Sequence, residues 1–126
     1  MRAYVLVDHG SREAAANDVL EAVAERVRAR LPGHLVRTAH MELARPTLSE
    51  AIDACAAAGA REIVVHPYFL APGRHSTRDI PRLAAEAAAR HRGVTVTVTE
   101  PLGDHPGLVE AVVERLTSDA DHSRTG

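Results

Sequence analysis

Four short runs of apolar, β-branched residues alternate along this chain with four segments of helical period, and that alternation constrains the fold more than any other feature. Residues 3–8, AYVLVD, read as a strand buried on both faces. The segment EAAANDVLEAVAERVRARL follows, with Val19, Val23 and Val27 four residues apart and Leu20 and Leu31 nearby. Charges fill the gaps, so it reads as an amphipathic helix stopped by Pro32 and Gly33. HLVRTAHM predicts a second strand. RPTLSEAIDACAAAG predicts a second helix, with Thr47 and Glu50 at capping-box spacing and Gly59 at its end. A third strand spans about 62–66, and APGRHSTRDIP reads as a long polar connection into the helix RLAAEAAARH. VTVTVTE is a fourth strand on β-propensity alone, and GDHPGLVEAVVERL a last helix.

The order βαβαβαβα predicts an α/β fold in which a four-stranded parallel, doubly wound sheet lies between helices on both faces. The domain is expected over 1–117, with 118–126 a flexible tail. Composition narrows the function. Hydrophobic residues make up 45%, enough for a core, while aromatics are 2% and the formal net charge is −2. Neither a basic face nor stacking aromatics is evident, which argues against nucleic-acid binding. A single cysteine, Cys55, excludes an internal disulfide and a cysteine zinc cage. No signal-peptide pattern or membrane-length apolar run is present, so the expectation is a cytoplasmic protein without a membrane partner.

In a sheet of this kind ligands bind beyond the carboxyl ends of the strands. Of the eight histidines, His9 follows strand one, His40 strand two, His66 and His75 strand three, and His105 strand four. His34 and His91 fall at the opposite end or at a helix terminus, and His122 in the tail. Glu42 also follows strand two. His9, Glu42 and His75 would together offer two nitrogens and one oxygen, a set suited to a divalent first-row metal with positions left open. Each residue has a plainer reading too. A histidine at a strand end can simply hydrogen-bond a loop carbonyl, and a lone glutamate is commonly solvated. His40 and His66 read as structural or supporting groups, and His105 as a cap.

Other motifs fail. There is no G-x-G-x-x-G after strand one, PGRHST lacks the G-K-[ST] of a phosphate loop, and Ser11 is not in G-x-S-x-G. Ser11 reads as a cap for helix one, Asp79 as a cap with Pro81 in a first turn, and Cys55 as core. A histidine phosphatase is disfavoured because Asp8 stands where an arginine would be wanted before His9.

HGSR after strand one, MELARPTLSEAI after strand two and HPYFLAPGRHSTRDIP after strand three together resemble the small sirohydrochlorin chelatases, the class II tetrapyrrole chelatases. EPLGDHPGLVEAVVERL resembles their last helix, so the resemblance spans residues 3–117. It implies a chelatase-like three-layer αβα domain and a lyase-type enzyme. Such an enzyme inserts cobalt, iron or nickel as a divalent ion into a reduced, carboxylate-rich tetrapyrrole without ATP or any cofactor beyond that metal substrate. It also implies His9 and His75 as metal-binding and catalytic groups and Glu42 as the acidic ligand. Asp8 replaces a common glycine and would be placed to orient His9. Ser11, Arg12, Arg45, Arg74, Ser76 and Arg78 lie in the same loops and are candidate partners for substrate carboxylates, beside the helix N-termini after HGSR and RHSTRD. Longer relatives carry two such domains facing across a cleft, so one domain implies a homodimer. A non-catalytic metal or tetrapyrrole carrier would use the same residues, and metal and pathway (siroheme, cobalamin or nickel tetrapyrrole) stay open.

Overall fold

The computed structural model describes residues 1–71 and 73–118, without the side chains of 74–77. The chain runs β1 (Arg2–Asp8), α1 (Ala14–Arg30), β2 (Leu35–His40), α2 (Leu48–Ala57), β3 (Glu62–Pro67), α3 (Arg74–Arg90), β4 (Thr95–Val98) and α4 (Pro106–Thr117). All strand pairs are parallel, in the order β2-β1-β3-β4. The expected doubly wound sheet is therefore present. The expected tail beyond Ser118 lies outside the described residues.

Two apolar layers sandwich the sheet. On one face Val5, Val7, Ile63 and Val65 pack against Leu48, Ile52 and Cys55 of α2 and Ile80 and Ala87 of α3. On the other, Leu6 and Val36 pack against Leu20 and Ala24 of α1, with Val23 and Val27 at the margin. Val19 is 57% exposed, so the buried stripe of α1 runs one position later than the valine spacing suggests. Buried Cys55 has its thiol pushed up by desolvation, as befits a core side chain.

Helix α2 has the expected capping box. Thr47 Oγ1 accepts from the Glu50 N–H, and the Glu50 carboxylate accepts from the Thr47 N–H. Two helix starts differ from expectation. α1 begins at Ala14, and its N-cap Glu13 makes no side-chain cap bond. Ser11 instead accepts from the Glu13 N–H at 3.0 Å, closing a tight turn ahead of the helix, while the Asn17 side chain brackets the Ser11 backbone on both sides. α3 begins at Arg74, about two turns before the expected start, so RHSTRDIP is helix rather than loop. Pro81 thus lies inside α3, and Asp79 is not its cap. A proline with no N–H to donate is disfavoured there. Burial of Ile80, Ala84 and Ala87 against the sheet outweighs that local preference.

Candidate active site

The strand order reverses between β1 and β3, which makes their carboxyl ends the topological switch point. His9 follows β1 there, and Phe69 follows β3. Their rings stack with centroids 4.1 Å apart and planes 18° from parallel. Phe69 is buried and belongs to the core, while His9 is exposed, so the imidazole rests on a fixed apolar support with its edge toward solvent.

Glu42 is brought alongside by the backbone. The β1–β2 ladder continues past both strands: Met41 N–H donates to Asp8 O at 2.9 Å and Glu42 N–H to His9 O at 3.0 Å. His40 N–H donates to Pro46 O, which closes the loop over 41–46. Gly10 makes this approach possible. Its φ is +90°, and a Cβ there would stand 1.8 Å from the Glu42 carbonyl oxygen. The glycine of HGS is thus explained by backbone contact between the two loops.

His9, Met41, Glu42 and Asp79 line one cleft of about 100 Å³. That volume admits a hydrated ion but not a macrocycle, which must lie over its mouth. Among the described residues no three His, Cys, Asp or Glu side chains close into a metal-ligand set. The side chain of His75, like those of Arg74 and Ser76, lies outside the described residues; their backbone forms the first turn of α3. Asp79, read from sequence as a cap, proves to face the cleft, with Arg82 of its own helix 3.7 Å away. Only the true start of α3 could have revealed it.

Asp8 does not orient His9. It pairs with His40, Oδ1 to Nδ1 at 2.5 Å, and His40 is buried. The register explains this: Asp8 and His40 are direct partners across the parallel pair. Successive residues of a strand point to opposite faces, so Asp8 turns away from His9. Four further histidines have structural partners. His66 Nδ1 lies 2.8 Å from Thr99 Oγ1, and burial pulls its pKa below the ordinary value. His91 meets Asp53 between α3 and α2 at 2.6 Å. His34 accepts from the Arg2 N–H, and His105 caps α4 by accepting from the Gly107 N–H.

The candidate arginines are dispersed. Arg12 and Arg78 are exposed, next to Ser11 and Asp79 respectively. Arg45 is paired with Glu50 of the capping box. That bond, with the Thr47 N–H, holds the Glu50 carboxyl down at about 2.

A parallel, doubly wound sheet with an imidazole and two carboxylates lining a cleft at its switch point defines an α/β domain of the class whose ligand sites lie at the carboxyl edge. The CbiX family model matches residues 3–119, and the chain belongs to the CbiX family. It is 40% identical over 118 residues, 94% of its length, to the chloroplastic sirohydrochlorin ferrochelatase of Arabidopsis thaliana. A CbiX protein from Marinobacter aquaeolei VT8 superposes with a TM-score of 0.83 at 31% identity, covering 98% of this chain and 100% of that one. The sirohydrochlorin chelatase SirB of Bacillus subtilis subspecies spizizenii, solved with cobalt, gives 0.85 at 31% identity over 94% of this chain and 51% of its own. The chain spans between 52% and 58% of the first curated relatives it matches. Among the described residues no helix is long and apolar enough to cross a membrane.

Proposed function

We propose that this chain inserts a divalent metal ion, cobalt or iron, into sirohydrochlorin or a closely related reduced tetrapyrrole, without ATP. The observation that carries the reading is the cleft shared by His9 and Glu42 at the switch point of a CbiX-family domain. Relatives of this family are named as chelatases for both metals, which favours insertion over mere delivery.

The reaction exchanges the ion's waters for four pyrrole nitrogens and releases two protons. Nitrogen and oxygen donors of mixed type hold such an ion without the closed cage that would trap it. His9 supplies one nitrogen, and imidazole is a side chain able to accept a proton in such a step. Glu42 supplies an oxygen. His75 is assigned the second imidazole; its position is one helical turn before Asp79, which lines the cleft. Stacking on Phe69 limits rotation of the His9 ring. The substrate's carboxylates then meet Arg12, Arg74 and Arg78 with Ser11 and Ser76, while Arg45 must first leave Glu50.

The same reading makes the metal a substrate rather than a resident cofactor. It takes the working form to be a homodimer in the cytoplasm. The test is the metal-dependent absorbance change of sirohydrochlorin with cobalt, iron and nickel in turn. Insertion above the uncatalysed rate is expected, with His9→Ala and His75→Ala each slowing it by about 10²-fold or more. Variants as fast as the parent would remove both residues from the mechanism.

A further inference from the structure

Among the described residues, glycines aside, Leu43 alone has a positive φ, at +66°. A bulky, branched side chain is disfavoured in that left-handed region, which glycine or asparagine enters easily. Its own fold gives the side chain little in return. Leu43 is 54% exposed and belongs to neither apolar layer of the sheet.

The backbone shows how the conformation is held. Glu42 N–H donates to His9 O and His40 N–H to Pro46 O, so the loop over 41–46 is tied at both ends. The Glu42 carbonyl is packed against Gly10. These contacts set the turn at Leu43 whatever side chain it carries. Backbone strain persists where the surroundings over-determine it in this way, and such places cluster at ligand clamps. None of the contacts asks for a leucine.

Leu43 directly follows Glu42, which lines the cleft with His9. Because β1 lies between β2 and β3, the loops carrying Leu43 and Leu70 leave the sheet on either side of His9, roughly 10 Å apart at two strand spacings. Leu70 comes one residue after Phe69, whose ring supports His9, and is 63% exposed. The cleft between the loops, at about 100 Å³, is too small for a macrocycle. A reduced tetrapyrrole carries its carboxylates on the rim and presents an apolar face around its four nitrogens. Bringing those nitrogens over His9 lays that face across the two loops.

We propose that the Leu43 side chain packs against the face of the tetrapyrrole and seats the ring over His9 and Glu42. The left-handed turn then serves to present an apolar group to the ligand at a position where the fold alone would favour glycine. The inference rests on the chelatase reading, and the test separates the two.

Leu43→Gly suits the observed φ, so folding is not put at risk. Its melting temperature is expected to be no lower than the parent's. Its affinity for metal-free sirohydrochlorin, read by absorbance titration, should weaken about tenfold, because a leucine contact is lost. The KM for the tetrapyrrole should rise by the same factor while the KM for cobalt stays put. Leu43→Met, which keeps an apolar contact, should bind nearly as well as the parent. A parent that binds no sirohydrochlorin overturns both the chelatase reading and the inference. A parent that binds and inserts, beside a Leu43→Gly variant of equal affinity, overturns the inference alone. So does a melting temperature clearly below the parent's, which would place the side chain in the fold. A Leu43→Gly protein of altered mass by light scattering also overturns it, since Leu43 would then cover a second copy of the chain.

Discussion

The imidazole of His9 lies flat on the ring of Phe69, 4.1 Å away between centroids. The contact joins the loop after β1 to the loop after β3 across the switch point. Phe69→Leu keeps most of the apolar volume, so its stability cost should stay under ~1.5 kcal/mol. Its metal-insertion rate should fall on the order of tenfold, because the ring that holds the imidazole is gone. Thermal melts and the absorbance assay, run on the same preparation, check both parts. An unchanged rate would make the stack a packing contact only.

Glu42 is exposed and has its backbone N–H tied to His9. Glu42→Gln keeps shape and removes charge. We expect the apparent KM for the metal to rise about 10- to 100-fold with the melting temperature held. Titrating cobalt at fixed sirohydrochlorin measures it. A change confined to the KM for the tetrapyrrole would instead make Glu42 a substrate contact.

Gly10→Ala should be among the most damaging single substitutions. The new methyl group would overlap the Glu42 carbonyl, and φ at +90° is itself unfavourable for alanine. A loss of about 3 kcal/mol or more is expected, together with most of the activity. Urea denaturation reads the first and the insertion assay the second. Near-native stability would mean that the loop over 41–46 yields easily.

Asp8→Ala leaves buried His40 without its carboxylate. The expected cost is about 1–3 kcal/mol, with activity reduced far less than in His9→Ala. Asp8→Asn should recover much of the stability. A large kcat loss at native stability in Asp8→Asn would restore a direct role for Asp8 beside His9.

His66 predicts a pH effect on stability. Burial holds its folded-state pKa below the ordinary value of 6.5. The unfolded chain therefore binds the extra proton first as pH falls. Stability is full above about 6.5 and declines from there toward the lower folded pKa. His66→Gln should show a smaller drop in melting temperature between neutral pH and pH 5.5 than the parent, the other histidines being common to both. Equal drops would refute the assignment.

Much of this was legible in sequence because it is local. Period-2 and helical patterns, the Thr47–Glu50 capping box and the chain order of strands and helices depend on neighbours within a few residues. From them followed the parallel sheet and the carboxyl-edge location of His9 and Glu42. HGSR and the long pattern after β3 indicated the family without any coordinates. Tertiary structure alone decided what depends on register and packing. Asp8 turned to His40 because parallel pairing sets those residues side by side. Phe69 came under His9, and Asp79 into the cleft, because β3 lies next to β1 and α3 starts at Arg74. A proline taken for a helix start was carried inside a helix by burial of Ile80. The apolar stripe of α4 could be read from spacing, but that the described residues of its own chain leave it uncovered could not. Spacing reports which face of a helix is apolar, and only the packed chain shows whether anything lies against it.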